Sequence, residues 1–171
     1  MIDNLLIMAK LDAGKLLLNR TKVDLHHLGK NVISEFKIIA NQSEVELIAN
    51  LPKHGTFFYL DGALIQRVID NLLANAIKFS SSHGRVELTI DRQTEDILKI
   101  QVKDWGKGIN EELRQRIFEK YEIGELVKGV TQTGLGLSFC KLVVEAHGGQ
   151  IYVENNHPKG SIFTVEIYQI N

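Results

Sequence analysis

Asp70, Asn71, Asn75 and Lys78 fall inside one short run, DNLLANAIKFS. Asparagine is a poor helix former because its amide competes for backbone hydrogen bonds. Two of them four residues apart, with a lysine one turn on, ask for a chemical reason. On a helical wheel Asn71, Asn75 and Lys78 fall within about 60° of one another, while Ile65, Ile69, Leu72, Leu73 and Ala76 gather on the other side. An amide oxygen is a hard, neutral ligand for Mg²⁺, which keeps several waters and shares itself with substrate phosphates. Lys78 would meet those phosphates as a point charge. Asp70, about 100° round from Asn71, is placed to act as base or polariser at the rim. Taken alone, the same residues also read as the wet side of an amphipathic helix.

Two glycine-bearing segments carry further chemistry. In VKDWGKGI the alternating run ends in Asp104, and Gly106 and Gly108 follow. An ionised aspartate only accepts hydrogen bonds, which suits the exocyclic amine of adenine. Glycines there allow positive φ and let a flat ring approach the backbone. TGLGLS, residues 133–138, opens a helix; glycines at a helix start expose N–H groups where the dipole favours an anion. It is neither a GxxxxGK[ST] phosphate loop nor a dinucleotide fingerprint, since Phe139 stands where the third glycine would be. Each segment alone is also an ordinary turn or helix start. In order, the three supply a metal site, an adenine acceptor and a phosphate cradle for one ligand.

With these residues in place, the chain resembles the catalytic, ATP-binding domain of bacterial sensor histidine kinases, in the superfamily shared with DNA gyrase, heat-shock chaperones and mismatch-repair ATPases. DNLLANAIKFS is similar to the family's N box, DWGKGI to its first glycine box and IFEKY to its F box. TGLGLSFCKLVVEAHGGQIYVEN is similar to the second glycine box and its sequel. The start, LLIMAKLDAGKLLLNRTKVDL, resembles the end of a dimerisation helix and its linker. The resemblance covers nearly the whole chain.

The resemblance implies a role for each matching residue. Asn75 binds Mg²⁺ between the phosphates, Asn71 supports phosphate or metal, and Lys78 meets phosphate. Phe79 packs near the adenine or in the core. Asp104 takes the adenine amine, with Gly106, Gly108 and Ile109 lining the pocket. The backbone of Gly134, Leu135, Gly136, Leu137 and Ser138 holds phosphate. Asp70 activates the accepting histidine. Thr164, on the last hairpin, is a candidate for the adenine pocket, and Lys128, in the lid, for a γ-phosphate contact. The F box departs from the family's FExF, reading FEKYE with Lys120 and Tyr121, and the lid from Glu119 to Thr133 is short.

The implied cofactors are ATP and Mg²⁺. The implied partners are a histidine-bearing dimerisation domain and a response regulator. None of His26, His27, His54, His83, His147 and His157 stands in the family's H-E/D-x-x-x-P setting. The acceptor is therefore expected on a segment outside this chain, and Met1, mid-helix by pattern, suggests a piece of a longer kinase. The rival readings are an anti-sigma-type serine kinase, which the helical LDAGKLLLN before the domain disfavours, and a nucleotide-gated interaction module.

The elements that must position these residues follow from periodicity. A short amphipathic helix carries Ile2, Leu5, Leu6 and Ala9, with Gly14 as C-cap. It either pairs with another helix or chain or packs back on its own domain. Asp24 caps a helix to about Asn41 whose stripe is Leu25, Leu28, Val32, Phe36 and Ile39. VELIANLP and TFFYL alternate like strands around a break at Pro52. Asp61 opens the asparagine helix, which runs to about Phe79. A hairpin turning at RQTED, a short helix in NEELRQRIFEKY, a helix closed by Gly148 and Gly149, and a hairpin turning at NHPKG complete the chain. The expected fold class is α+β: a two-layer α/β sandwich whose mixed, mostly antiparallel sheet is covered on one face by three helices, a Bergerat-type ATP-binding fold by resemblance. Residues 1–22 are assigned to the dimerisation helix and linker, and 23–171 to the catalytic domain.

Composition sets the bounds. The chain has 171 residues, a formal charge of −1 and one cysteine, Cys140. That length suits one domain with a short appendage, and one cysteine excludes an internal disulfide framework. No basic stripe suggests nucleic-acid binding. No apolar run approaches the ~20 residues of a membrane span, and no signal peptide is evident. A cytoplasmic location is expected, with a parent protein that is free to be membrane-anchored.

Overall fold

The computed structural model describes residues 2–119 and 135–169. Its elements are α1 (Ile2–Asp12), β1 (Thr21–Asp24), α2 (Leu25–Gln42), β2 (Glu46–Asn50), β3 (Phe57–Leu60), α3 (Gly62–Phe79), β4 (Arg85–Arg92), β5 (Ile97–Asp104), two 3-10 turns (Glu111–Leu113 and Arg116–Phe118), α4 (Gly136–Ala146), β6 (Gln150–Asn155) and β7 (Ser161–Tyr168). Five strands form one sheet in the order β2-β4-β5-β7-β6. Only β2 and β4 run parallel, and the other three pairings are antiparallel. The two expected hairpins are the β4–β5 and β6–β7 pairs.

Strand alternation puts Val86, Leu88 and Ile90, then Leu98, Ile100 and Val102, then Phe163, Val165 and Ile167 on one face of the sheet, all buried. Leu64, Ile65, Val68, Ile69, Leu72, Leu73, Ala76 and Ile77 of α3 pack on that face with the buried sides of α2 and α4. Burying each such side chain stabilises the fold by roughly 1.5–3 kcal/mol before the entropy of ordering is counted. The two-layer sandwich is therefore as expected. Among the described residues no helix is long and apolar enough to cross a membrane.

Four details depart from the sequence-based expectations or sharpen them. The strands flanking Pro52 belong to different sheets, because β3 pairs antiparallel with β1 in a separate two-stranded ribbon. In α2 the stripe continues through Ala40, which is buried, rather than Ile39, which is 45% exposed. Both lie one turn beyond Phe36, and only packing chooses between them. Residues 111–118 form two 3-10 turns instead of one helix. Finally, α1 packs back on its own domain: Met8 is buried and the helix lies against α4, while Leu5 and Leu6 stay about half exposed.

Candidate nucleotide-binding site

Asp61 sets the start of α3. Its carboxylate accepts the Leu64 N–H at 3.2 Å as N-cap and the Asn19 N–H at 2.9 Å. From that start, the 3.6-residue repeat turns Asn71 toward the beginning of α4. The Asn71 side-chain nitrogen donates to the Arg67 carbonyl of its own helix at 2.8 Å, and its amide oxygen faces the start of α4. That oxygen lies 3.0 Å from where a Cβ on Gly136 would sit. A glycine at 136 is thus what lets the α4 start approach the asparagine face. Asn75 lies one turn further along the same flank, half-buried, and Lys78 is exposed in the last turn.

The beginning of α4 offers backbone rather than side chains. Leu137 is buried in the core, and the Ser138 hydroxyl donates to the Leu135 carbonyl at 3.0 Å. Among the described residues no side chain caps the helix. Its first N–H groups make it a ready anion site. Gly134 and Lys128 lie outside the described residues.

Asp104 closes β5 on the helix-facing side of the sheet, buried. Its Oδ1 accepts the Gly106 N–H at 2.9 Å, so the DWGKG turn folds back over the carboxylate. Burial pushes the Asp104 carboxyl above its ordinary range, opposed by backbone hydrogen bonds from Gly106 and Ser161. A Cβ on Gly106 would stand 2.6 Å from the Phe79 carbonyl, so this turn packs directly on the end of α3. The Phe79 ring itself is 39% exposed. Gly108 has φ +77°, the left-handed geometry that favours glycine, and abuts the Gly160 carbonyl. Ile109 packs against the edge of the core.

Asp70 leaves α3 in another direction. It is half-buried near Glu35 of α2, and its carboxyl is raised to about 6 by burial, then by Glu35, with Arg67 opposing. One of its oxygens is buried without a partner among the described residues.

Thr164 requires a correction. Along β7, Ser161, Phe163, Val165 and Ile167 face the helices, so Thr164 faces away from them. There it pairs in register with Gln101 and Tyr152 and accepts a hydrogen bond from Gln101 at 3.1 Å. The two-residue repeat of a strand forbids it from reaching Asp104. Ser161 is the buried hydroxyl on the face that carries Asp104. Counting alternate residues back from Phe163 finds it. Asn156 carried no signal in the sequence: its side chain donates to the Asp104 carbonyl at 2.9 Å and braces the turn after β5.

The donor set fits a magnesium–nucleotide pair. Among the described residues no cluster of three or more His, Cys, Asp and Glu exists to cage a metal. The asparagine amides instead suit an ion that stays bound chiefly through phosphates.

Residues 60–169 match the family described as histidine kinase-, DNA gyrase B-, and HSP90-like ATPase. The chain belongs to this family. It is 33% identical over 171 residues to the adaptive-response sensory kinase SasA of Crocosphaera subtropica, covering 99% of this chain and 45% of that relative. The catalytic domain of histidine kinase ThkA superposes with a TM-score of 0.79 at 27% identity, covering 88% of this chain and 96% of that domain. ThkA in complex with the response regulator TrrA shares the fold, with a TM-score of 0.76 at 24% identity, covering 99% of this chain and 49% of that chain. The chain thus spans less than half the length of the curated relative and nearly all of one solved ATPase-family domain.

Proposed function

We propose that this chain is the ATP-binding catalytic unit of a two-component sensor histidine kinase. It hands the γ-phosphoryl of ATP to a histidine on a separate dimerisation domain, and a response-regulator aspartate takes the group from there. The observation that carries this reading is the convergence of Asn71, Gly136, Gly106 and Asp104 around the second half of α3. Membership of the ATPase family and likeness to the catalytic domain of ThkA support it.

In this reading Asp104 accepts the adenine amine, Gly106, Gly108 and Ile109 line the ring, Phe79 flanks it, and Ser161 takes the place first considered for Thr164. The backbone of Gly134 to Ser138 holds phosphate, and Lys128 is the candidate for a γ-phosphate contact. Asn75 would hold Mg²⁺, with Asn71 supporting phosphate or metal; the ion would neutralise phosphate charge, and Lys78 adds a positive charge. In the transfer a phosphorus–oxygen bond of ATP breaks, ADP departs and a phosphorus–nitrogen bond forms on the incoming imidazole. Asp70 draws off the imidazole proton. Positioning and charge neutralisation do most of the work, because phosphoryl transfer asks little covalent chemistry of a protein.

Calorimetric titration of ATP, with and without Mg²⁺, into wild type and Asp104→Asn tests the reading. The expected result is Mg²⁺-assisted binding that weakens about tenfold or more in the variant, as one charge-assisted hydrogen bond is lost. Absence of binding at any magnesium level would overturn it, mean a degenerate pocket and favour the interaction-module reading.

A further inference from the structure

A second cleft lies behind the adenine-side turn. It encloses about 460 Å³ between residues 107–111 with Arg114 on one side and the turn joining β6 to β7 on the other. Neither Asn71, Asn75 nor Ser138 lines it, whereas Gly108 and Ile109, which the proposed adenine contact also uses, do. Its volume falls within the roughly 300–1,000 Å³ of ordinary small-molecule sites.

The lining is cationic and prebuilt. Among the described residues that line it, Lys107, Arg114 and Lys159 stand with one carboxylate, Glu111, an excess of two positive charges. The Arg114 Nε–H is buried and has no hydrogen-bond partner among the described residues. A buried donor left unpaired is costly, and it is satisfied by a water molecule or by a ligand oxygen. A guanidinium matches phosphate oxygens in a planar fork, while lysines add point charges. The opposite wall is held firmly: Asn156 donates to the Asp104 carbonyl at 2.9 Å, its N–H reaches the Gly160 carbonyl at 3.0 Å, and its side-chain oxygen accepts the His157 N–H at 2.9 Å. A phosphate ester carries a charge of about −1.5 to −2 near neutral pH, which matches the excess.

We propose that this cleft, walled by Lys107, Arg114 and Lys159, binds a small phosphorylated compound at a site distinct from the nucleotide groove. Ribose 5-phosphate serves as the probe and unphosphorylated ribose as its control. Amide resonances of the full chain are followed during titration, first alone and then with the nucleotide groove filled by a non-hydrolysable ATP analogue. Saturable shifts at Lys107, Asn156 and Gly160 are expected with ribose 5-phosphate in both conditions, and none with ribose. Arg114→Gln combined with Lys159→Gln should weaken binding about tenfold or more without changing the unfolding temperature. Lys159→Gln alone, on an exposed turn, should weaken it partially and guards against misfolding of the double variant. Three results would overturn the site: equal binding of ribose, equal binding by the variants, or shifts confined to Asn71, Asn75 and Ser138 that vanish once the analogue is bound. If the analogue fails to bind while the cleft shifts persist, the nucleotide reading fails and this one stands.

Discussion

Two aspartates show how burial alone prepares different chemistry. Asp104 and Asp70 are both raised by desolvation, but the Asp104 carboxylate is held by the Gly106 and Ser161 N–H groups, whereas Asp70 faces Glu35 with one oxygen unpartnered. The protonated form of Asp70 is favoured by folding, so wild-type stability is lost as pH rises from the ordinary 3.8 through about 6. An unscreened shift of that size corresponds to roughly 3 kcal/mol at 1.36 kcal/mol per unit. Asp70 is only half-buried, and solvent screening reduces the expected effect to about 1 kcal/mol. Asp70→Asn should therefore be more stable than wild type near neutral pH and indistinguishable from it below the carboxylate range, where Asp70 is protonated in both the folded and the unfolded wild type, as read from urea denaturation at the two extremes. The same variant should lower phosphotransfer to an added acceptor domain by about 100-fold, the ordinary scale of a lost general base, while nucleotide affinity is kept. A variant that gains no stability at neutral pH would show that Asp70 is well solvated.

At the level of elements, the nucleotide face depends on a junction far from it. His147 sits buried after the end of α4, its Nδ1–H donating to the Val143 carbonyl at 2.8 Å and its Nε2 accepting the Asp61 N–H at 3.1 Å. With Asn19 on the Asp61 carboxylate, this ties the beginning of α3, the end of α4 and the segment before β1 together. Burial lowers the His147 pKa below 6.5; the Val143 hydrogen bond opposes this, Arg20 adds to the lowering and Asp61 opposes it. The neutral ring is thus the folded form. Its contribution is complete above pH 6.5 and is lost as pH falls toward the lowered value. His147→Leu leaves the Asp61 N–H unpaired, so it should cost about 1–3 kcal/mol at neutral pH and flatten the decline in stability below pH 6.5. Thermal melts at stepped pH measure both. An acid decline unchanged in the variant would assign it to carboxylates instead. A second junction lies at Gly160, where φ is +103° and a Cβ would stand 2.0 Å from the Asp104 carbonyl. Gly160→Ala should destabilise the fold by about 2–4 kcal/mol in denaturant titrations, since the obstructing atom is backbone and cannot swing aside.

For the whole molecule, one sheet carries Asp104 and one helix layer carries the asparagines and the α4 start, and the site forms where the layers meet at the end of α3. A ligand that bridges both layers binds the folded state alone. ATP with Mg²⁺ at 100 times its dissociation constant should add about 2.7 kcal/mol by mass action. For a chain of this size that corresponds to a rise in unfolding temperature of about 5–10 °C. Differential scanning calorimetry checks it, and Asp104→Asn should lose most of the rise. An equal rise with wild type and variant would mean that the stabilising contacts lie with the phosphates rather than the base.

Periodicity and punctuation alone determined most of the elements here. Asp24 and Asp61 cap α2 and α3 as their positions before apolar stripes require. The polar RQTED and NHPKG turns separate strands that pair as hairpins. The run of Asn71, Asn75 and Lys78, the aspartate before alternating glycines and the GLGLS helix start were likewise legible, because side-chain type and spacing along one element are local properties. What only the tertiary structure decided was which faces meet. Strand parity put Ser161 rather than Thr164 on the face that carries Asp104, packing buried Ala40 in place of Ile39, and β3 left the main sheet to pair with β1. Gly136 against Asn71, Gly106 against the end of α3 and Asn156 on the Asp104 carbonyl join residues distant in sequence. Such contacts arise from steric fit and hydrogen-bond satisfaction across layers, to which no spacing within one segment is sensitive.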